Sequence, residues 1–192
     1  SISRKMSSHC LSRFRYCPCC GSDQFSVLDD RSKHCAECGF VFYLNASAAT
    51  VALIRNPKGE LLVVRRARHP GKGLLTLPGG FVDHGESIEE GCLREVREEV
   101  GVSGRIVRFL FSLPNRYPFS DFVVPTVDSF FEVAIDNPAA IVAGDDAEAA
   151  FWAAPEDLHL ASFAMASVRE GLARWLEEER RKTNASSFPT SS

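Results

Sequence analysis

Residues 80–102 read Gly-Phe-Val-Asp-His-Gly-Glu-Ser-Ile-Glu-Glu-Gly-Cys-Leu-Arg-Glu-Val-Arg-Glu-Glu-Val-Gly-Val. Within this stretch Gly80, Glu86, Arg94, Glu95, Glu98, Glu99, Gly101 and Val102 fall at the spacing G-x5-E-x7-R-E-x2-E-E-x-G-V. Ser87 is a good helix N-cap with Glu90 three residues on, and Gly101 stands where a helix C-terminus favours glycine, so a helix is expected from Ser87 to Val100. At ~100° per residue, Glu95, Glu98 and Glu99 share one arc of that helix. Leu93, Val96 and Val100 occupy an adjacent arc suited to packing, and Arg94 and Arg97 a third. Three carboxylates on one arc repel one another unless a cation joins them. They are hard oxygen donors of the kind that suits Mg²⁺ or Mn²⁺, ions that also hold phosphate oxygens. A solvated acidic helix is the alternative, and the Pro78-Gly79-Gly80 bend, Glu86 and Gly101 argue against it.

Outward from this stretch, residues 46–55 and 60–66 are apolar, β-branched-rich runs parted by Asn56-Pro57-Lys58-Gly59, which reads as a hairpin. A strand at 74–77 leads into the Pro-Gly-Gly bend. Further strands are expected at 105–112, 123–135 and 150–153, with a loop at 136–146 and a long helix at 161–181 whose charged end is a solvated face. Trp152 and Trp175 read as packing residues. Residues 183–192 read as a disordered tail. Mixed strands flanked by helices give an α/β fold, a three-layer α/β/α sandwich.

The chain has 192 residues and a net charge of −3, with +2 on residues 1–44 and −5 on the rest. That balance argues against a dedicated nucleic-acid or membrane-surface binder. No apolar run approaches the ~18 residues of a membrane span. An acidic body that handles phosphates needs a metal between the two negative partners. The first 22 residues lack acids and carry Arg4, Lys5, Arg13 and Arg15, a weak organelle-leader signal. The cysteine usage points to a reduced, cytoplasmic setting.

Residues 1–13 form a basic arm and residues 14–43 a cysteine module. Cys17-x2-Cys20 and Cys35-x2-Cys38 are separated by fourteen residues and followed by Gly21 and Gly39. This is four-thiolate zinc spacing, and each glycine permits a turn that aims backbone N–H groups at sulfur. It resembles a zinc ribbon. A closed tetrahedral Zn²⁺ leaves no open position, so its role is structural. Cys10, Cys19 and Cys92 read as spectators, and His34 is an alternative ligand. The module has few basic residues and no interleaved aromatics beyond Phe14 and Tyr16, which argues against nucleic-acid binding.

The 80–102 stretch resembles the Nudix box at every defined position. The resemblance implies a Nudix fold over residues 46–182 and a Mg²⁺-dependent hydrolase of a nucleoside diphosphate linked to another moiety. It implies that Glu95, Glu98 and Glu99 ligate metal, helped by the Gly80 carbonyl. Glu98 is the first choice of general base and Glu95 the second. Arg94 would orient the glutamates, an ordinary helix ion pair being similar physics, and Glu86 would close the loop. A zinc ribbon before a Nudix domain is similar to the NADH pyrophosphatases, which carry Ser-Gln-Pro-Trp-Pro-Phe-Pro-x-Ser after the box. Here Ser112-Leu113-Pro114-Asn115-Arg116-Tyr117-Pro118-Phe119-Ser120 stands at a comparable place without the glutamine and tryptophan. That departure reads as a sister group acting on NADH, ADP-ribose or a nucleotide sugar.

Arg116, Tyr117 and Phe119 are the candidate substrate-binding residues, with loop packing as the alternative for the two rings. Asp145, Asp146 and Glu148 offer a further carboxylate from a later loop. Arg65, Arg66 and Arg68 read by default as surface arginines, with phosphate contact as the alternative. The partner is a small nucleotide, and a homodimer is among the expected assemblies. Two other readings share the fold: a nucleotide-sensing or RNA- or protein-binding module, and a nucleoside triphosphate sanitiser.

Overall fold

Leu61, Leu62, Val63 and Val64 are all buried, and they alternate between two cores. Strand residues point to opposite faces in turn, so a continuous apolar run belongs to a sheet covered on both sides. One core gathers Val51, Leu53, Leu61, Val63 and Phe130 with Val168, Leu172 and Trp175. The other gathers Ala52, Ile54, Leu62, Val64 and Phe131 with Cys92, Val96 and Val100. Two helices therefore cover the two faces of the strands, the expected α/β/α sandwich.

The computed structural model describes residues 9–186 and divides at 46/47 into two units, Ser1–Ala46 and Ser47–Ser192. In the first, β1 (Phe25–Asp29), β2 (Ser32–Cys35) and β3 (Val41–Tyr43) form an antiparallel sheet in the order β1-β2-β3. The polar sequence Ser-Lys-His-Cys of β2 carries no strand pattern; pairing on both edges makes it a strand. Phe25, Cys17 and Cys35 form a small core with Phe40 and Phe42.

The second unit runs β4 (Ser47–Ile54), β5 (Leu61–Arg66), β6 (Leu75–Thr76), α1 (Ile88–Val100), β7 (Gly104–Phe119), β8 (Phe122–Ile135), β9 (Ala147–Ala153) and α2 (Ala166–Ser186). Its sheets have the orders β4-β8-β7 and β6-β5-β9. The hairpin expected from residues 46–66 does not form. β4 runs parallel to β8, whereas β5 pairs antiparallel with β6 and β9, and a single bridge, Arg55 to Leu61, joins the two runs. Both runs are buried on both faces, so each takes its partners from the sandwich rather than from its neighbour in sequence.

β7 extends well past the expected end at 112. It pairs with β8 from Gly104–Ile135 to Phe119–Phe122, with two register shifts. Ser120 and Asp121 close the hairpin at φ 51° and 56°, the left-handed values that a two-residue turn between twisted strands requires. α2 starts at Ala166, later than expected, because a 3₁₀ turn at Leu160–Ser162 precedes it, and it continues to Ser186, into the segment read as tail. Residues 1–8 of the basic arm and 187–192 of the tail lie outside the described residues. Among the described residues no helix is long and apolar enough to cross a membrane.

Candidate active site

The capping box forms as the sequence implies. Ser87 Oγ accepts from the Glu90 N–H at 3.2 Å, and the Glu90 carboxylate accepts from the Ser87 N–H at 2.8 Å. Gly101 ends α1 at φ 71°, its N–H donating to the Arg97 carbonyl. The helix is thus fixed at both ends, which fixes the azimuth of its carboxylates.

Arg94 is the hub. Its Nε donates to Glu86 Oε1 at 2.6 Å, and Nη1 donates to Glu95 at 2.8 Å and Glu98 at 3.1 Å. Nη2 donates to Glu86 Oε2 at 3.0 Å and to the Phe81 carbonyl at 2.9 Å. Glu86 also accepts from the Asp83 N–H at 2.9 Å. The Arg94 bonds, followed by that backbone bond, hold the Glu86 carboxyl below its ordinary range. One guanidinium therefore ties the Pro-Gly-Gly loop to α1 and faces four carboxylates at once, Glu86, Glu95, Glu98 and, at 3.6 Å, Asp83.

Burial pushes the Glu95 carboxyl upward against the opposing pull of Arg94. Burial likewise pushes Glu99 up to about 8, although its carboxylate accepts from the Gly79 N–H at 3.1 Å. Glu98 is the exposed member, with 56% of its side chain open. Gly80 packs so closely on Glu95 that a Cβ there would lie 2.6 Å from its carboxyl carbon. The Gly80 carbonyl accepts from the Thr50 N–H at 2.8 Å, leaving a second lone pair. These donors are all oxygens, and one arginine does not balance Glu86, Glu95 and Glu98. The set fits a hard divalent cation.

Glu95 and Glu99 line a cleft of about 370 Å³ with Gly79 and Gly80. Arg66, Arg68 and His69 bring cationic or basic groups to it, and Phe81, Tyr117 and Phe119 bring rings. Phe81 meets Tyr117 edge to face at 5.4 Å, and Tyr117 stacks on Phe119 at 6.4 Å. Thr126 and Asp128 of β8 line the same cleft.

In the first unit the sulfurs of Cys17, Cys20, Cys35 and Cys38 converge within 4.8 Å. The Cys17–Cys38 and Cys20–Cys35 separations are 3.7 and 3.6 Å. Four thiolates at ~2.3 Å from one Zn²⁺ stand about 3.8 Å apart, so the sulfurs fit a tetrahedral ion. Gly21 and Gly39, at φ 78° and 77°, donate back to the Cys17 and Cys35 carbonyls, giving two matching turns. Burial acts to raise the Cys17 thiol, but backbone N–H groups of Cys20 and Cys19 outweigh it and bring it down to about 7. His34 is outside this cluster, as are Cys10, Cys19 and Cys92.

The NUDIX domain family matches residues 45–177. The chain belongs to the Nudix family. It is 36% identical over 106 residues to the NAD-capped RNA hydrolase NudC of Chromobacterium violaceum, covering 55% of this chain and 39% of that one. The NudC of Stutzerimonas stutzeri is 27% identical over 168 residues, or 88% and 56% of the two chains. The chain thus spans about half the length, or less, of these curated relatives. A Nudix hydrolase from Nitrosomonas europaea superposes with a TM-score of 0.71 at 20% identity, covering 87% of this chain and 93% of that chain, a likeness of fold.

Within the Nudix domain, α1 and its preceding loop bring Gly80, Glu86, Arg94, Glu95, Glu98 and Glu99 together. Tyr117 and Phe119 join Glu95 and Glu99 in the cleft, but Arg116 does not. It is exposed and lines a neighbouring hollow of about 500 Å³ with Gly71 and Arg169. Of the later carboxylates, Asp146 alone lines the cleft, and it pairs with Arg68 at 2.9 Å. Arg66 is not an ordinary surface arginine: Nε donates to the Pro70 carbonyl at 2.7 Å and Nη2 to the Tyr117 hydroxyl at 3.5 Å. Phe81, Thr126 and Asp128 went unread in the sequence. The last two carry a signal, being polar side chains on alternate, inward positions of a largely apolar strand.

Proposed function

We propose that this chain is a Nudix pyrophosphohydrolase that uses Mg²⁺ or Mn²⁺ to cleave the diphosphate joining a nucleoside to another moiety, in the class of NADH, ADP-ribose or a nucleotide sugar. The observation that carries this reading is the Arg94-organised carboxylate set, whose member Glu95 lines, with Glu99, a cleft that also holds arginines and aromatic rings. Glu95, Glu98, Glu99 and the Gly80 carbonyl would hold the metal, whose chemistry is to neutralise the diphosphate and acidify bound water. Arg66 and Arg68 supply positive charge for phosphate oxygens. Tyr117, Phe119 and Phe81 offer faces and edges to a base. Glu98 takes the proton of the attacking water, with Glu95 as second choice; Arg94 and Glu86 position them. The four-cysteine site over residues 14–43 holds a structural Zn²⁺, ahead of a hydrolase domain over residues 46–182. Free thiols and the nucleotide substrate suit a cytoplasmic setting.

Because the curated relatives are named for NAD-capped RNA, that substrate belongs beside the free nucleotides. The test is Mg²⁺-dependent product release from NADH, NAD⁺, ADP-ribose, a nucleotide sugar, oxidised dGTP and NAD-capped RNA. Cleavage at the diphosphate of any of the first four, or of the cap, supports the reading. Glu98→Gln should lower turnover by about 10²–10⁴-fold with Tm unchanged. Inert wild-type protein, or near-normal turnover in that variant, would sink the corresponding assignment.

A further inference from the structure

Asp128 is a carboxylate in the wrong place for a structural one. It is 5% exposed, in the middle of β8, and among the described residues its side chain's hydrogen-bond partners are two similarly buried hydroxyls. Thr126 Oγ1 donates to Oδ1 at 2.6 Å, and Ser167 Oγ, in the first turn of α2, donates to Oδ2 at 2.5 Å. No Lys, Arg or His ion pair reaches it among the described residues. Burying a charge without a cation is costly. The two hydroxyls and the N-terminal end of α2 offset part of that cost. A carboxylate has about four lone-pair positions, and the hydroxyls use two. Asp128 and Thr126 also line the cleft that Glu95, Glu99, Phe81 and Tyr117 line.

We propose that Asp128, held by Thr126 and Ser167, is a specificity-determining residue of the substrate cleft that accepts a hydrogen bond from the –NH₂ of a planar heteroaromatic group. This rests on the hydrolase reading above. The shared chemistry is an amine or primary amide on a flat ring: the exocyclic amine of adenine, or the carboxamide of nicotinamide. An ionised carboxylate is acceptor-only, so it also rejects analogues that present oxygen at that position. A hypoxanthine carbonyl or a nicotinic acid carboxylate would set acceptor against acceptor. The neighbouring rings supply the stacking that a flat ligand needs and that a purely helix-anchoring aspartate does not.

Two substrate pairs separate the sources. The full-length chain is assayed for kcat/KM with Mg²⁺ on ADP-ribose against its hypoxanthine counterpart, and on NADH against its nicotinic acid counterpart. Wild-type protein should favour the –NH₂ member of one pair by about 10- to 100-fold, the effect of one hydrogen bond to a charged group. Asp128→Asn, which can turn its own –NH₂ toward an oxygen, should shrink that ratio at least tenfold. A merely structural Asp128 would lower Tm in that variant and leave both ratios where they were.

Should Asp128→Asn fail to fold, equilibrium binding of AMP against IMP, and of nicotinamide against nicotinic acid mononucleotide, to the Glu98→Gln chain reads the same preference without turnover. An active wild-type enzyme that treats both pairs equally overturns the anchor and leaves the hydrolase reading intact. A wild-type chain inert toward every substrate overturns the hydrolase reading, and the binding pairs still decide the anchor.

Discussion

Two adjacent glycines should fail in different ways when each is given a methyl group. A Cβ on Gly80 would lie 2.6, 2.7 and 2.8 Å from the carboxyl atoms of Glu95 and meet no backbone among its nearest neighbours. Comfortable contact begins near 3.4 Å, so the Glu95 carboxylate must retreat by about 0.6–0.8 Å, which the flexible end of a side chain can do. A displacement of ~1 Å in a reacting constellation costs about 100-fold in rate, equivalent to ~2.7 kcal/mol at the transition state. Gly79 is different. Its φ is 151°, and an added Cβ would lie 2.0 Å from the Thr50 carbonyl oxygen and 3.0 Å from the Val51 Cα. Backbone of β4 must move, which endangers the Thr50 N–H to Gly80 and Ala52 N–H to Pro78 hydrogen bonds. At ~1 kcal/mol per bond and ~1–3 kcal/mol for the strained backbone, Gly79→Ala loses about 3–5 kcal/mol. For a chain of this size that lowers Tm by roughly 10 °C. The assay is paired: thermal unfolding, and kcat/KM on whichever panel substrate turns over. Gly80→Ala should unfold near the wild-type temperature with about one hundredth of the activity. If it instead keeps near-normal turnover, the position of Glu95 is not critical. If it melts as early as Gly79→Ala, the cradle is structural and the reasoning is wrong.

Other perturbations follow from the same contacts. Arg94→Lys keeps the charge but cannot span Glu86, Glu95, Glu98 and the Phe81 carbonyl together, so activity should fall by about 100-fold and stability by about 1–2 kcal/mol; wild-type kinetics with lysine would show that charge alone suffices. Cys35→Ser should reduce bound zinc from about one ion per chain to none by elemental analysis and collapse the amide dispersion of the first unit; unchanged zinc content would remove the four-thiolate assignment. Glu132 is pushed up by burial, but hydrogen bonds from Arg108 and Arg55 win and its pKa is lowered. A depressed carboxyl adds stability above its unfolded pKa of ~4.3, lost as pH falls through the folded value. Glu132→Gln should therefore cost about 1 kcal/mol at pH 7, with the gap closing in acid; a gap that persists at pH 3 would point to packing instead.

The parts of this protein legible in its sequence are those whose chemistry closes within a few residues. Ser87 and Glu90 cap the helix that carries Glu95, Glu98 and Glu99, and each Cys-x2-Cys-x turn completes itself before the chain leaves it. Where a partner lies far away, the local signal misleads. Asn56-Pro57-Lys58-Gly59 is sound turn chemistry, yet it joins strands of different sheets, because burial on both faces chose the partners. β2 has no apolar pattern, and its strand is made by β1 and β3.

The cleft shows the same division at finer grain. Arg66, Phe81, Tyr117, Asp128 and Asp146 come from five separate segments and meet only because the sheet order brings them there. By chemistry alone Arg116 and Tyr117 are both binding candidates, a cation for phosphate and a ring for a base. Once that segment is β7, successive side chains take opposite faces, so Tyr117 enters the cleft and Arg116 cannot follow it. The same alternation puts Thr126 and Asp128 on one face of β8, with Phe130 continuing that row into the core against α2. Polar side chains at inward positions of a strand thus reach the cleft together, whereas adjacent residues of one strand do not. If the hydrolase reading and the Asp128 anchor both hold, the box residues speak for diphosphate chemistry and the inward row of β8 for what the diphosphate is attached to.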